Sequence, residues 1–287
     1  MALPFWKNCK VGVLFMLTFL HGLDPDLRQA LLLQLRNLWT HSSTAIEGNS
    51  LTLGETAFVL EEGLTVSGKP LKDHEEVVGH ARAVDLLYKF LEEGHVFAED
   101  DLFALHKAVQ TDVFFDVYKP VGRWKKEPNS TVGVIEGQQV VFEYTRPQDV
   151  PRLMEQWFGL FQEIDRSLVP GNRDYALSAY AQLHVSFVRI HPFFDGNGRL
   201  ARLVANLPVL RCGLPPILIP KERRKQYIDI LSACHNLTGQ IRAGDELLPG
   251  PEALEPFIRF CGQAWQETMQ LVEQAHAQQR ARSRNGM

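Results

Sequence analysis

A mainly α-helical chain carrying one β-hairpin is the fold class that three observations predict. Apolar residues recur at three- and four-residue intervals over most of the 287 residues. The only good strand signal is the pair of β-branched runs 132–135 and 140–144, which flank a glycine-containing stretch at 136–139 as hairpin strands do. No internal repeat or low-complexity linker divides the chain, and 45% apolar residues suffice for a sizeable core.

The first 25 residues stand apart. Lys7 and Lys10 precede a mostly apolar run at 11–20, shorter than the ~20 residues that span a bilayer. Basic residues before a short apolar run resemble a secretory signal, but His21-Gly22-Leu23-Asp24 offers no small-x-small cleavage site. Packing on the domain or at an interface is expected, with membrane or secretory targeting by 1–21 as the alternative. A leucine-rich helix at 27–39 then enters through Asp24-Pro25-Asp26. Residues 52–62 hold apolar side chains at helical spacing and stop at Gly63. The long amphipathic stretch 73–94 turns Val77, Val78, Ala81, Val84, Leu87 and Phe90 inward, and 99–110 follows. After the hairpin, helix resumes at 147–164 with proline in its first turn, then at 175–190, 197–212, 221–234 and 251–278. The organisation reads as an apolar N-terminal segment at 1–25, a helical region at 26–115, a core with the hairpin and later helices at 116–278, and a basic tail at 279–287.

Composition narrows the function. A net charge of −4 and a pI near 6.2 are not the basic footprint of a protein whose main partner is nucleic acid, so none is expected. The short basic clusters at 221–225 and 280–284 read as a solvated helix face and a frayed terminus. Cys9, Cys212, Cys234 and Cys261 form no Cys-x-x-Cys pair, which argues against a zinc site or disulfide framework and favours a reducing, cytoplasmic compartment.

The chemistry concentrates in HPFFDGNGRLAR at 191–202. His191 closes a helix before a proline, where an imidazole can titrate near neutrality and act as general base, although a lone histidine is more often structural. Phe193 and Phe194 anchor the loop or belong to the core. Asp195 offers one hard oxygen ligand, which with phosphate oxygens is the usual way to hold Mg²⁺. Gly196-Asn197-Gly198 before a new helix can turn N–H groups toward an anion, or can simply form a tight turn. Arg199 and Arg202 share one side of that helix's first turn, where the dipole disfavours cations unless an anion compensates them; a polyphosphate would. His184, seven residues before His191, reads as a hydrogen-bonded core histidine rather than half of a metal pair. Neither a Walker-type nor a dinucleotide-binding glycine pattern is present.

With every defined position filled, 191–202 resembles the Fic family signature, His-x-Phe-x-Asp/Glu-Gly-Asn-Gly-Arg-x-x-Arg, and the similarity in organisation extends over roughly 37–275. The resemblance implies a Fic-type helical bundle with the hairpin as flap, and a protein adenylyltransferase moving AMP from ATP to a protein hydroxyl. It implies His191 as base on a Ser, Thr or Tyr hydroxyl and Asp195 as holder of Mg²⁺. Gly196, Asn197 and Gly198 would form the anion hole. Arg199 and Arg202 would grip the phosphate tail, with Arg202 nearest the γ-phosphate. Gly198 stands where the phosphorylating Doc-like branch carries lysine. The hairpin at 122–145 would hold an extended target segment by β-augmentation. Gly122-Arg123-Trp124 and Val132-Gly133 resemble the flap's flanks, with Val134 where many relatives have a second glycine. Tyr227 is similar to an aromatic position near the adenine, whereas Ile228 departs from the pattern.

Upstream, Ser43-Thr44-Ala45-Ile46-Glu47-Gly48-Asn49 resembles the family's inhibitory motif, with Ser43, Glu47 and Gly48 in place. Alone it also reads as a capped helical turn stopped by Gly48. The resemblance implies that Glu47 pairs with Arg202 in the γ-phosphate's place, or aligns a water that removes AMP. UTP, GTP or a choline-bearing nucleotide as donor, a non-catalytic nucleotide-sensing module and a DNA-associated regulator are the other readings. Relatives often form homodimers, which the leucine-rich start could serve.

Overall fold

Ten α-helices and one hairpin make up the residues that the computed structural model describes, namely 17–91, 95–110, 119–135 and 138–285. The chain is mainly α-helical, as expected, with a two-stranded antiparallel sheet. In chain order the helices are α1 (Pro25–Ile46), α2 (Leu53–Glu62), α3 (Leu71–Lys89) and α4 (Glu99–Val109). Strands β1 (Ser130–Ile135) and β2 (Gln138–Glu143) follow, then α5 (Val150–Arg166), α6 (Arg173–Ile190), α7 (Asn197–Val204), α8 (Asn206–Arg211), α9 (Arg224–Thr238) and α10 (Pro251–Asn285).

Local chemistry explains most boundaries. Helix α2 begins with a reciprocal capping box between Thr52 and Glu55 and ends at Gly63 in the left-handed region. The Asn172 side chain caps α6 by accepting from Tyr175 N. Several expected boundaries move. Helix α1 runs past 39 to Ile46, so the Ser43 motif is the last turn of a long helix that stops before Gly48. Helix α3 stops at Lys89, short of 94, and Val78 is only half-buried beside the buried Val77, Ala81, Val84 and Leu87. The single helix expected at 197–212 breaks at Ala205. Pro208 lacks an N–H and crowds the carbonyl four residues back, at Val204, where α7 ends. The Asn206 side chain then bonds Arg202 O and both backbone groups of Ile217. Gln138 and Gln139 belong to β2, paired with Ile135 and Val134, so only 136–137 link the strands and lie outside the described residues.

The central helix α6 packs against α5, α7, α8 and α10, and α7 also meets α1, α3 and α4. All of α7 except Gly198 is buried, so its arginines enter the molecule's interior. The first described residues pack against the turn after α8 and against α10. Leu17, Leu20 and Leu23 are buried, Phe19 N bonds Gly213 O at 3.1 Å, and His276 Nε2 donates to Phe19 O at 2.9 Å. Residues 17–23 are therefore packed, while the rest of the apolar N-terminal run lies outside the described residues. The basic stretch from 280 to 284 is not frayed: α10 continues through it, and Arg282 pairs with Asp26 at 2.7 Å. No helix among the described residues is long and apolar enough to cross a membrane.

Candidate active site

His191 terminates α6 with φ 53° and ψ 60°, the one non-glycine residue at positive φ among those described. That conformation is uncommon for a side-chain-bearing residue and turns the chain sharply into Pro192. Nδ1 lies 3.3 Å from Val188 O. A carbonyl can only accept, so Nδ1 carries the proton and Nε2 the lone pair. Burial, then the nearby Lys125 charge, pushes the His191 pKa down to about 3, against smaller opposing effects of Val188 and Asp195. The imidazole is thus neutral at ordinary pH, as a general base must be.

The following loop is pinned from inside. Asn197, which resembles an anion-hole residue, spends its side chain on the loop: Oδ1 accepts from Phe193 N at 2.9 Å and Nδ2 donates to Phe193 O at 2.8 Å. Gly196 adopts φ 80°, which a side chain would strain. Asp195 is exposed and shares Oδ2 with Arg199 Nη2 at 3.2 Å. Among the described residues no group of three or more His, Cys, Asp or Glu side chains could hold a metal. A single carboxylate suits a cation completed by phosphate oxygens and water, which fits Mg²⁺.

Both arginines have protein partners for their charge, beside the polyphosphate that their place in the sequence suggests. Arg199 donates to Val109 O at the C-terminal end of α4, 3.3 Å away, and to Asp195. Arg202 sits at the C-terminal end of α1. It donates to Ser43 Oγ at 3.1 Å, Ser43 O at 2.9 Å and Glu47 Oε1 at 2.6 Å. Helix C-termini carry negative partial charge, so each guanidinium meets a helix end of favourable sign. Arg224 Nε completes the cap of α1 by donating to Ile46 O at 2.5 Å. Burial opposes the Arg202 charge, but Tyr227 and Glu47 outweigh it and hold its pKa above the usual arginine value. Ser43 and Glu47 therefore meet Arg202, and the Glu47 carboxylate also overlies Gly198, where an added Cβ would lie 2.5 Å from Oε1. Gly48 follows at φ 103°, releasing the chain from the helix.

Tyr227 is the aromatic that the resemblance sets near the adenine. It is 2% exposed, its hydroxyl accepts from Arg202 Nη1 at 3.1 Å, and it pairs with His184 Nε2 at 3.0 Å. His184 is accordingly a buried core histidine. The open space lies one residue on: Ile228, Leu231 and His235 of α9 face Thr131, Val132, Gly133 and Phe142 of the hairpin across a cavity of about 130 Å³. Val132 itself is exposed, and Gly133 pairs with Val140.

Four residues of the site carry no sequence motif. His106 stacks on Phe193 at 3.9 Å; its Nδ1 accepts from Gly122 N and its Nε2 donates to Asp195 O, which holds it neutral in one tautomer. Buried Lys125 donates from its backbone to Pro192 O at 2.9 Å and from Nζ to Asn129 Oδ1 at 2.6 Å. Burial pushes its pKa down to about 7. Asn129 Nδ2 in turn donates to Phe193 O at 3.0 Å, tying the base of β1 to the loop. Tyr144 lies flat on His191, ring centroids 3.6 Å apart at 7°. The contacts of these four residues with 191–195 join positions 47 or more residues apart, which no local spacing announces; the Gly122-Arg123-Trp124 flank is the one nearby signal.

A Fic/DOC family model matches residues 96–209. The Protein adenylyltransferase Fic of Drosophila mojavensis is 33% identical over 236 residues, covering 80% of this chain and 40% of that protein. Protein adenylyltransferase fic-1 of Caenorhabditis briggsae is 31% identical, covering 78% of this chain and 38% of that protein. The chain thus spans about 40% of the length of these curated relatives. Among solved structures, a Fic domain containing signaling protein from Bacteroides thetaiotaomicron aligns at a TM-score of 0.76 and 26% identity, covering 95% of this chain and 97% of that one. A Fic-1 fragment from C. elegans aligns at a TM-score of 0.65 and 26% identity, covering 93% and 73%.

Proposed function

Because the chain belongs to the Fic/DOC family, we propose that it is a self-inhibited protein adenylyltransferase, moving AMP from ATP to a Ser, Thr or Tyr hydroxyl of a target protein. The observation that carries this reading is the double engagement of Arg202. It stands on the helix that follows the His191 loop, and the Glu47 carboxylate holds it at 2.6 Å. A carboxylate on a buried guanidinium beside a run of N–H groups imitates a phosphate oxygen.

In the proposed transfer, His191 Nε2 takes the proton of the target hydroxyl. That oxygen bonds the α-phosphorus as the bond to the bridging oxygen breaks, and pyrophosphate leaves. Arg199, Arg202 and the N–H groups of Gly196, Asn197 and Gly198 bind the phosphate tail and stabilise charge as it develops. Asp195 would hold Mg²⁺, which when bound neutralises phosphate charge. The apolar cavity beside Ile228 supports a nucleobase seat, in place of the contact expected at Tyr227. The hairpin, with no neighbouring strand among the described residues, supports docking of an extended target segment. The N-terminal region with its inhibitory helix and the 116–278 core then work as one device through Glu47 and Arg202.

With Glu47 in place, the γ-phosphate loses its guanidinium and the α-phosphate is mis-set for in-line attack; a shift of about 1 Å can cost on the order of 10²-fold in rate. Glu47 is also 38% exposed while bonded through Oε1, which supports AMP removal by an oriented water as a second activity.

Labelled nucleotides test the reading. With Mg²⁺ and the Glu47→Gly protein, label from the α-phosphate of ATP is expected on protein and label from the γ-phosphate is not. Retained γ-label, stronger labelling from UTP or GTP, or no label from any nucleotide would contradict adenylyl transfer from ATP.

A further inference from the structure

We propose that Tyr144 is a positioning residue for His191, its ring fixing the imidazole plane so that Nε2 faces the reacting hydroxyl. The inference rests on the role of His191 proposed above and adds a residue that no motif contains. Among the described residues, the only hydrogen bond holding the His191 ring, Nδ1 to Val188 O, measures 3.3 Å, beyond the usual N–H···O range. Such a bond restrains rotation of the ring poorly. The Tyr144 ring, 3.6 Å away and within 7° of parallel, supplies the missing restraint.

Tyr144 is itself immobilised from several directions. Its N–H donates to Asn129 O at 3.2 Å, its carbonyl accepts from Gln240 Nε2 at 2.7 Å, and its hydroxyl pairs with the Thr131 side chain. His235 meets it edge-on at 5.7 Å. It directly follows β2, so whatever docks on the hairpin bears on the residue that sets the base.

The same ring keeps water from one face of the imidazole. The charged and titratable groups acting on His191 are Lys125 before β1, Asp195 of its own loop and His235 of α9; Glu47 and Tyr227 act on Tyr144. Burial is the largest reason that His191 stays neutral, so removing the ring should move its pKa up toward 6.5, whereas Phe in its place should not.

The full chain carrying Glu47→Gly is compared with Tyr144→Phe, Tyr144→Leu and Tyr144→Met added. The expected result is that Phe keeps kcat within about threefold, while Leu and Met lose on the order of 10²-fold in kcat with the KM for ATP within about twofold. NMR titration of His191 without nucleotide should show it neutral through pH 5 in the parent and Phe proteins, and titrating at higher pH in the Leu and Met proteins. Two aliphatic variants are used so that a melting defect in one leaves the other to decide. A folded Leu or Met protein with parental kcat, or with an unmoved His191 titration, overturns the proposal. If the Glu47→Gly parent transfers nothing, it is the enzymatic reading that fails, and the titration still decides whether Tyr144 governs His191.

Discussion

Arg202 is met by the C-terminal end of α1, by Glu47 directly after it and by the Tyr227 hydroxyl of α9. Ser43 supplies two of its acceptors and Glu47 a third. Ser43→Ala removes the hydroxyl from a buried guanidinium, which should destabilise the protein by about 1–3 kcal/mol. It should also raise transfer, but less than Glu47→Gly does. Urea unfolding and the rate of labelling measure the two effects, and a Ser43→Ala protein with unchanged stability and rate would contradict the described latch. The residues of 191–202 and 43–49 were legible because their types and spacing are local. Glu47 was legible as a partner of Arg202 through its motif, whereas the carbonyls of Ser43 and Val109 were not, since a helix C-terminus becomes a counter-charge only once folding delivers it. Asn197 shows the opposite gap: its position was recognisable, but its side chain serves the loop itself.

The hairpin is joined to the His191 loop through its base. Lys125 and Asn129 bond Pro192 O and Phe193 O, while Gly133 lies against Phe142 on the face turned toward α9. A Cβ at Gly133 would run into the Phe142 ring. Gly133→Val should therefore displace that ring, narrow the cavity beside Ile228 and lower labelling in the Glu47→Gly background at least tenfold. The melting temperature should change little, because an exposed two-stranded hairpin contributes little to the core. Labelling and melting measured together check this; equal labelling would count against the cavity as the nucleobase seat. Period and glycine content made the hairpin readable, as β-branched residues alternate around its turn. Helix ends were less readable. The break at Ala205 depends on Pro208 three residues later, and the extension of α10 to Asn285 depends on Asp24 and Asp26 meeting Arg282 from the far end of the chain.

The whole molecule should respond to acid through its buried histidines. Burial is the leading cause that lowers the pKa of His80 and His184 well below 6.5, His106 to about 4 and His191 to about 3. Unfolded, each takes a proton as pH falls through 6.5; folded, each resists until its lower pKa. Stability is therefore full above about pH 6.5 and falls as pH drops below it, by about 1.4 kcal/mol per pH unit for each such group. Denaturant midpoints at pH 7 and 5 should differ accordingly, and His106→Gln should flatten the slope by about one proton; an unchanged slope would refute the neutral His106 described here. On the proposed reading the site is one balance, in which the end of α1 with Glu47 and a nucleotide compete for Arg202 while His191 serves as base. The most direct test is the initial rate of α-labelled AMP incorporation in the native chain, in Glu47→Gly, and in Glu47→Gly combined with His191→Ala. The account predicts a rise on the order of 10²-fold for the first substitution and its loss in the double variant. Equal rates in the native and Glu47→Gly chains, or labelling that survives the loss of His191, would contradict it.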